Sequence, residues 1–468
     1  MKIVYTFLLL ACITACSHPL EIVGQGDISS STGANNCALE EQPCANYVAG
    51  DYNVIYTPVP RAGWVFSGWE NCGAQFPQCS FSVPGTTVNE YWGQVGPPLR
   101  ALFTQDPSFP AIQTATSWSA VAETLTIDVT FSTITPTAVR LYPQGLDGGW
   151  VELDTAPPFS FSIDATAFEP GDHDMLVTAD DGAIYLSETE VITVSGCNGD
   201  HDLCARRFDQ VRYATTHNAM SNAANGWLGP NQDLDVPAQL AAGVRGLMLD
   251  TYSAGYINQF GQIQVPEADP DAAFLCHSVC SLGKQDLAEG LIEIREFLDG
   301  NPGAVVTLII ESYLNHELTA AAFGAANLTP YAYQHTAVDW PTLGQMIDAG
   351  TRLVVLQDVA VNPSYPWLMN VWQQAFETHF SAAVPGDFSC ADNRGSPSSD
   401  LFIFNHFLTN VFGSPALAAQ VNHNPLLVDR INECEAVYAT PANFVTVDFV
   451  DIGDTLSTVE ALNALGAF

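Results

Sequence analysis

The sequence predicts a multidomain protein in which a C-terminal (β/α)8 TIM barrel follows two small all-β domains. At 468 residues the chain is too long for a single core, and usual domain sizes suggest about three domains. Short alternating strand-like runs without helical periodicity precede Cys197, whereas strand-like and helical runs alternate after it. Hydrophobic residues make up 47% of the chain, which is ample material for folded cores.

Residues 1–16, MKIVYTFLLLACITAC, have the layout of an export signal. Lys2 precedes an apolar run that is too short to span a membrane, and small residues precede Cys16. The ending ITAC resembles the bacterial lipobox, which implies that Cys16 is lipidated and anchors the mature chain to a membrane. Because Ser17 follows, the resemblance implies an outer membrane lipoprotein, either periplasm-facing or at the cell surface. A plain cleaved signal is the alternative.

The cysteines favour disulfides in an exported chain. Of twelve cysteines, Cys12 leaves with the signal and Cys16 takes the lipid, so an even number remains. Their spacing does not establish connectivity, but it groups them as Cys37 with Cys44, Cys72 with Cys79, Cys197 with Cys204, Cys276 with Cys280, and Cys390 with Cys434.

The charge balance restricts the possible partners. Thirteen basic and 51 acidic residues give a net charge of -38, which excludes nucleic acid as a partner. So acidic a chain also repels an anionic bilayer unless salt screens the repulsion, and adaptation to a salty habitat explains the composition. Nothing in the sequence calls for an oligomer, and we expect a monomer.

Two all-β domains are predicted before the barrel. Residues 17–104 contain strand-like runs such as YNVIYTPV and GWVFSGW and resemble the small disulfide-containing β-rich modules of bacterial surface proteins. Their tryptophans suit either a sugar-stacking platform or a core, and the core is the simpler interpretation. Residues 105–196 have strand spacing typical of an immunoglobulin-like β-sandwich.

Residues 197–468 are predicted to form the barrel. The strand candidates are VRYATTHN, VRGLMLD, FLCH, AVVTLIIE, RLVVLQD, LFIFNHF and FVTVDF. The helical candidates include LAEGLIEIREFLDG and YPWLMNVWQQAFETHF, and one further strand is expected near FSCAD. A barrel gathers its active site at the carboxyl ends of its strands. Polar or ionisable residues end most of the candidates, namely His217, Asn218, Asp250, His277, Glu311, Asp358 and His406.

An ordered series of motifs resembles one enzyme family. TTHNAM, NQDLDVPAQLAAGVRGLMLDTY, LCHSVC, FLDGNPGAVVTLIIE, SCADNRG and NFVTVDF are similar to the phosphatidylinositol-specific phospholipase C X-domain family, particularly its secreted phospholipase C-like phosphodiesterases. The resemblance covers roughly residues 205–455. It implies that His217 removes the proton of the inositol 2-hydroxyl and that His277 protonates the leaving alcohol, because imidazole titrates near neutrality and can do both. The implied first product is a cyclic inositol phosphate.

The resemblance also implies a divalent metal. The family offsets phosphate charge with calcium or with an arginine two residues after the strand-two aspartate, and that position is Tyr252 here. Asn218, Asp250 and Glu311 match ligands of the calcium-dependent enzymes, so Ca2+ is expected and Mg2+ is the alternative. One ligand position is occupied by Met248 instead of an acid.

Further residues are candidates for supporting roles. Asp448 could hold His217 in its proper tautomer, or it could be an ordinary acid at the barrel rim. Arg394, Asn405 and His406 are candidate contacts to phosphate or inositol hydroxyls. For Arg394, a role in stabilising the loop near Cys390 is an equally good interpretation. Lys284, the only lysine after the signal, is a weaker candidate for substrate binding.

The predicted function is an exported phosphodiesterase that cleaves phosphatidylinositol or a related inositol phosphodiester by attack of the 2-hydroxyl. One alternative is a catalytically inactive surface binding or adhesion lipoprotein, which Met248 favours and the intact histidine pair opposes. Another is glycerophosphodiester hydrolysis, because one barrel supports several phosphodiester chemistries.

Overall fold

The computed structural model describes residues 17–42, 44–47, 51–61, 63–73, 76–83, 97–105, 112–131, 135–180, 185–257, 269, 271–277, 279–409 and 412–466. It divides into two compact units, which are Met1–Trp118 with Thr124–Val194, and Ser119–Glu123 with Ser195–Phe468. We call them the N-terminal unit and the barrel unit. The predicted signal and Cys16 lie outside the described residues.

The N-terminal unit is built from strands. One sheet of eight strands has the order β11-β10-β13-β14-β5-β7-β1-β3, and two sheets of three strands have the orders β12-β9-β8 and β2-β4-β6. The alternating sequence FSFSID of β12 buries every second residue, as a strand with one face on a core should. The division at residue 104 and the immunoglobulin-like assignment stay predictions. The strands are β1 Ser17–Val23, β2 Gly26–Ser30, β3 Cys44–Tyr47, β4 Tyr52–Pro60, β5 Trp64–Glu70, β6 Cys79–Val83, β7 Leu99–Gln105, β8 Gln113–Ser119, β9 Thr124–Thr130, β10 Ala138–Tyr142, β11 Glu152–Asp154, β12 Phe159–Asp164, β13 Gly171–Asp180 and β14 Tyr185–Val194.

The barrel unit is organised around parallel strands. Eight of them pair side by side in the order β22-β23-β24-β15-β16-β19-β20-β21, and within the described residues no ladder joins β21 to β22. The strands are β15 Tyr213–Thr216, β16 Gly246–Ser253, β17 Ala273–Cys276, β18 Lys284–Asp286, β19 Val306–Tyr313, β20 Leu353–Gln357, β21 Leu368–Asn370, β22 Ala375–Glu377, β23 Leu401–Asn405 and β24 Phe444–Val447.

Helices follow or separate these strands. They are α1 Val236–Ala241, α2 Leu287–Gly300, α3 His316–Ala325, α4 Leu343–Asp348, α5 Val371–Gln374, α6 Pro415–Val421, α7 Leu426–Tyr438 and α8 Thr455–Ala464. Strands such as β20, LVVLQ, are buried at every residue, which is typical of parallel strands covered on both faces. No helix among the described residues is both long enough and apolar enough to cross a membrane.

The predicted TIM barrel is confirmed in part, as a curled parallel sheet in the barrel unit, and three predicted segments need correction. The candidate FLCH forms β17, which pairs antiparallel with β16 and β18 and is therefore not a barrel strand. The predicted helix over residues 365–380 is instead β21, the short α5 and β22. No strand forms at FSCAD, where Asp392 makes only an isolated bridge to Thr378. The apolar composition of residues 365–380 suits buried strands and a buried helix equally, whereas the direction of β17 is set by its pairing with β16.

All five expected cysteine pairs are disulfides. They join Cys37 to Cys44, Cys72 to Cys79, Cys197 to Cys204, Cys276 to Cys280, and Cys390 to Cys434.

Candidate active site

A cavity of about 200 Å³ opens at the carboxyl ends of the parallel strands. This is the end at which barrel enzymes place their chemistry. Its lining combines two histidines, four carboxylates, one arginine and several aromatic rings with an apolar floor. The polar lining residues are His217, Asn218, Asp250, His277, Glu311, Asp358, Glu377, Arg394 and Asn405.

His217 and Asp448 form a hydrogen-bonded pair at the edge of this cavity. Because β15 and β24 are parallel neighbours, the residues that follow them lie side by side. The Nδ1 atom of His217 lies 2.8 Å from Oδ1 of Asp448. A carboxylate only accepts, so Nδ1 donates and Nε2 remains an acceptor. The imidazole also stacks on Phe407, with ring centroids 3.9 Å apart and an interplanar angle of 7°.

Asn218 lies between the two histidines. Its Nδ2 atom is 3.1 Å from Nε2 of His217 and 3.3 Å from Nε2 of His277. The residue has a φ of 49°, in the left-handed region that asparagine tolerates better than most residues. The two imidazoles therefore face one amide group, and a single ligand in the cavity can reach both.

His277 follows β17 and lies between the disulfide-bonded Cys276 and Cys280. Burial, and after it the neighbouring His217, lower the pKa of His277 to about 4, while Asp448 and Glu311 act in the opposite direction. The side chain is accordingly neutral near neutral pH in the ligand-free protein. Protonation of this imidazole requires an additional negative charge nearby, such as that of a phosphodiester.

Carboxylates line the wall formed by β16, β19 and β20. Asp250 and Glu311 are direct partners in the register of β16 and β19. The Asp358 carboxylate accepts a hydrogen bond of 2.9 Å from the backbone N–H of Ser312. Burial, Glu311 and Asp358 together raise the pKa of Asp250 well above its ordinary value. Burial is also the main reason that the pKa of Asp358 is raised.

The chemistry of this wall fits a hard cation. Burial and neighbouring carboxylates disfavour the ionisation of Asp250 and Asp358, and a divalent ion would reverse this. In the part of the chain that the structure describes, no group of three or more His, Cys, Asp or Glu side chains is placed to hold a metal ion. The expected ligands Asn218, Asp250 and Glu311 include only two such side chains and an amide, so a bound ion would need water or substrate oxygens. Met248 lines the cavity beside them.

Arg394 and Asn405 lie on the opposite wall, where Glu377 holds both. Nε of Arg394 donates to Oε1 of Glu377 at 2.5 Å, and Nη2 donates to Oε2 at 3.2 Å. Nδ2 of Asn405 donates to the same Oε2 at 3.1 Å. The guanidinium also lies 4.4 Å from the ring centroid of Trp372 and 4.9 Å from that of Phe380. These contacts fix the direction of the arginine toward the cavity.

Like Asp448, the candidates Lys284 and His406 are not among the residues that line this cavity. Lys284 belongs to β18, where it pairs with Cys276, and its Nζ lies 4.4 Å from the ring centroid of Phe274. His406 is fully buried, and its Nε2 lies 2.8 Å from the backbone oxygen of Val421. The structure thus gives His406 a packing role, while a substrate contact by Lys284 stays a prediction.

Sequence reasoning missed several residues around the site. Glu377 and Trp372 were hidden inside the segment predicted to be a helix, and Phe407 lacks ionisable chemistry. Asn231, whose Nδ2 donates to Oδ1 of Asp448 at 3.1 Å, lies on a loop far along the chain from its partner. Only its position in the motif NQDLD marked it.

The fold and the cavity define a phospholipase C-like barrel protein. The PI-PLC X domain model matches residues 203–463, which is more than half of the chain. The chain belongs to the PI-PLC X domain family.

Individual relatives are distant. The chain is 28% identical over 314 residues to PI-PLC X domain-containing protein 1 of Arthroderma benhamiae, covering 61% of this chain and 96% of that protein. It is 28% identical over 291 residues to an uncharacterized secreted protein of the same organism, covering 56% of this chain and 62% of that one. Among solved structures, a mutant of phosphatidylinositol-specific phospholipase C from Staphylococcus aureus matches with 11% identity and a TM-score of 0.37, covering 55% of this chain and 93% of that one.

Proposed function

We propose that this protein is an exported phosphodiesterase that cleaves phosphatidylinositol or a related inositol phosphodiester by attack of the inositol 2-hydroxyl. The observation that carries the proposal is the placement of His217 and His277 on either side of the Asn218 amide, at 3.1 and 3.3 Å. Two imidazoles within reach of one ligand suit a reaction that removes one proton and supplies another.

In this proposal His217 is the general base. Its Nδ1–H is held by Asp448, so the unprotonated Nε2 faces the cavity and can take the proton of the 2-hydroxyl. The hydroxyl oxygen then attacks phosphorus, and the bond to the diacylglycerol oxygen breaks. His277 protonates that oxygen, which requires that the bound phosphodiester raise the pKa of the imidazole from its ligand-free value of about 4. The product is a cyclic inositol phosphate, and its hydrolysis reverses the two roles.

A divalent ion, Ca2+ or alternatively Mg2+, completes the proposal. Asn218, Asp250 and Glu311 would hold it, and when bound it would offset charge on the phosphate oxygens. Burial, and after it the charges of Glu311 and Asp358, raise the pKa of Asp250, and a carboxyl in such surroundings supports a cation on this wall.

The opposite wall is proposed to bind the head group. Arg394 presents guanidinium nitrogens that Glu377 has already oriented, and these suit phosphate or inositol hydroxyl oxygens. Nδ2 of Asn405 already donates to Glu377 and to the backbone oxygen of Thr378, so its Oδ1 is the atom proposed to accept from an inositol hydroxyl. Lys284 remains a weaker candidate outside the lining of the cavity.

Export and membrane attachment belong to the same proposal. The signal-like residues 1–16 support export, Cys16 is the proposed lipid-bearing residue, and the outer membrane is the proposed location. Five disulfides and a relative described as secreted agree with an oxidising compartment.

Phosphorus NMR of residues 17–468 with phosphatidylinositol and with glycerophosphoinositol tests the proposal. We expect a cyclic inositol phosphate signal that disappears in EDTA and in His277→Ala, but persists in a matched control, His423→Ala, whose side chain is 53% exposed and outside the cavity lining. Survival of the signal in EDTA would remove the metal from the proposal. Absence of turnover of both substrates would contradict the proposed activity.

A further inference from the structure

Asn231 lies on the loop between β15 and α1, next to the pair formed by His217 and Asp448. This side chain is 4% exposed and lies outside the lining of the cavity. Its Nδ2 donates to Oδ1 of Asp448 at 3.1 Å, and its Oδ1 accepts from Nδ2 of Asn218 at 3.5 Å. Its backbone oxygen accepts from the N–H of Phe449 at 2.8 Å. The buried amide of Asn231 therefore contacts Asp448 and Asn218, which are both hydrogen-bonded to His217.

Gln232, the next residue, joins the ends of the two strands that carry the pair. Its Nε2 donates to the backbone oxygen of His217 at 2.8 Å and to that of Val447 at 3.1 Å. Its Oε1 accepts from the N–H of Val450 at 3.1 Å. The side chain is fully buried, so these bonds have no water competing for them. They fix the backbone on both sides of the contact between His217 and Asp448.

We propose that Asn231, supported by Gln232, is a positioning residue for the catalytic base. The inference rests on the proposed function and deepens it by assigning the orientation of His217 to a residue outside the cavity. A carboxylate held by a single donor can rotate and present either oxygen. The second donor, from Asn231, directs Oδ1 of Asp448 toward Nδ1 of His217 and keeps the other imidazole nitrogen available as the base.

Asn231→Leu is the most selective test, because it removes the donor to Asp448 without adding charge. Asn231→Asp keeps the shape of the side chain, and in its ionised form it cannot donate to Asp448 and repels it. The matched control is Asn222→Ala on the same loop. Asn222 is also buried, but it bonds only within the loop, to the Met220 oxygen and the Asn225 N–H.

Two measurements distinguish positioning from general support of the fold. We expect both Asn231 variants to reduce kcat on the inositol phosphodiester by about 10- to 100-fold, while KM changes by less than about threefold because the residue does not touch substrate. Nitrogen-15 NMR of the histidine ring in substrate-free protein should show His217 shifting from one dominant tautomer to a mixture. Asn222→Ala should retain the wild-type tautomer and a kcat close to that of wild type.

A folded Asn231→Leu protein with wild-type kcat and an unchanged tautomer would overturn the inference. An equal loss of kcat in Asn222→Ala would also overturn it, since the effect would then belong to the loop as a whole. Failure of the proposed function is separate, because an inactive wild-type protein would still show, through the tautomer measurement, whether Asn231 orients His217.

Discussion

Replacing Asp448 with Asn tests the role of the hydrogen bond that orients His217. Asp448 is 6% exposed and accepts from Nδ1 of His217 at 2.8 Å. A hydrogen bond to a charged group contributes about 1.5–3 kcal/mol. The imidazole becomes positively charged only as it takes the substrate proton, so this loss falls mainly on the transition state. At about 1.4 kcal/mol for each factor of ten, kcat should fall by about 10- to 150-fold with little change in KM.

Saturation kinetics of cyclic inositol phosphate release, followed by phosphorus NMR, gives kcat and KM separately. The chain offers a matched control in a second His–Asp pair outside the cavity lining, where Nδ1 of His423 lies 3.5 Å from Oδ2 of Asp454. Asp454→Asn should leave kcat unchanged. A folded Asp448→Asn protein that retains kcat within about twofold of wild type would refute the assignment of His217 as an oriented base.

Three other changes separate the remaining roles. His277→Ala should slow phosphatidylinositol cleavage by about 10²- to 10⁴-fold. In a spectrophotometric assay, cleavage of a nitrophenyl ester of inositol phosphate should slow far less, because nitrophenolate leaves without a proton. Equal losses on the two substrates would contradict the general-acid role of His277. The raised pKa of Asp250 means that this carboxyl costs stability once the pH rises above its unfolded value of about 3.9. Asp250→Asn should therefore raise Tm in EDTA at neutral pH. It should also abolish the stabilisation of wild type by Ca2+, which is about 2.7 kcal/mol when Ca2+ is in hundredfold excess over Kd. If Ca2+ still raised the Tm of the variant in calorimetry, the ion would lie elsewhere. Arg394→Gln should raise KM about tenfold or more with a smaller change in kcat, and an unchanged KM would limit the arginine to its contact with Glu377.

The longest parallel strands could be predicted from sequence, but the short ones could not. Strands β19 and β20 are apolar runs bounded by turns, and their existence follows from composition alone. Strands β21 and β22 contain three residues each and flank a single helical turn, so the segment between residues 365 and 380 has the composition of a buried helix. The direction in which β17 pairs is set by its contacts with β16, which no local pattern encodes.

The ionisable residues of the site could be predicted because their chemistry stands out near the carboxyl end of an apolar strand. His217 follows β15 and Glu311 follows the buried run of β19, whereas Asp250 lies inside the buried run of β16, and the cavity brings the three together. Glu377 and Asn231 also orient site residues, but no comparable sequence pattern marks them. Glu377 lies in a segment that was predicted to be a helix, and Asn231 acts through Asp448. Orientation depends on partners that are distant in sequence, and it is therefore the part of a site that sequence reveals least.

The charge balance inside the cavity predicts a pH dependence that differs with and without metal. Among the described lining residues, Glu377 is compensated by Arg394, which leaves Asp250, Glu311 and Asp358 facing an incoming phosphodiester. An anion can bind there only if a cation or protons offset these carboxylates. With Ca2+ present, the rate of phosphatidylinositol cleavage should persist at neutral and alkaline pH. In EDTA, residual cleavage should be confined to acidic pH, where the raised pKa values keep Asp250 and Asp358 protonated. A pH–rate profile identical in Ca2+ and in EDTA would show that the protein offsets the phosphate charge by another route.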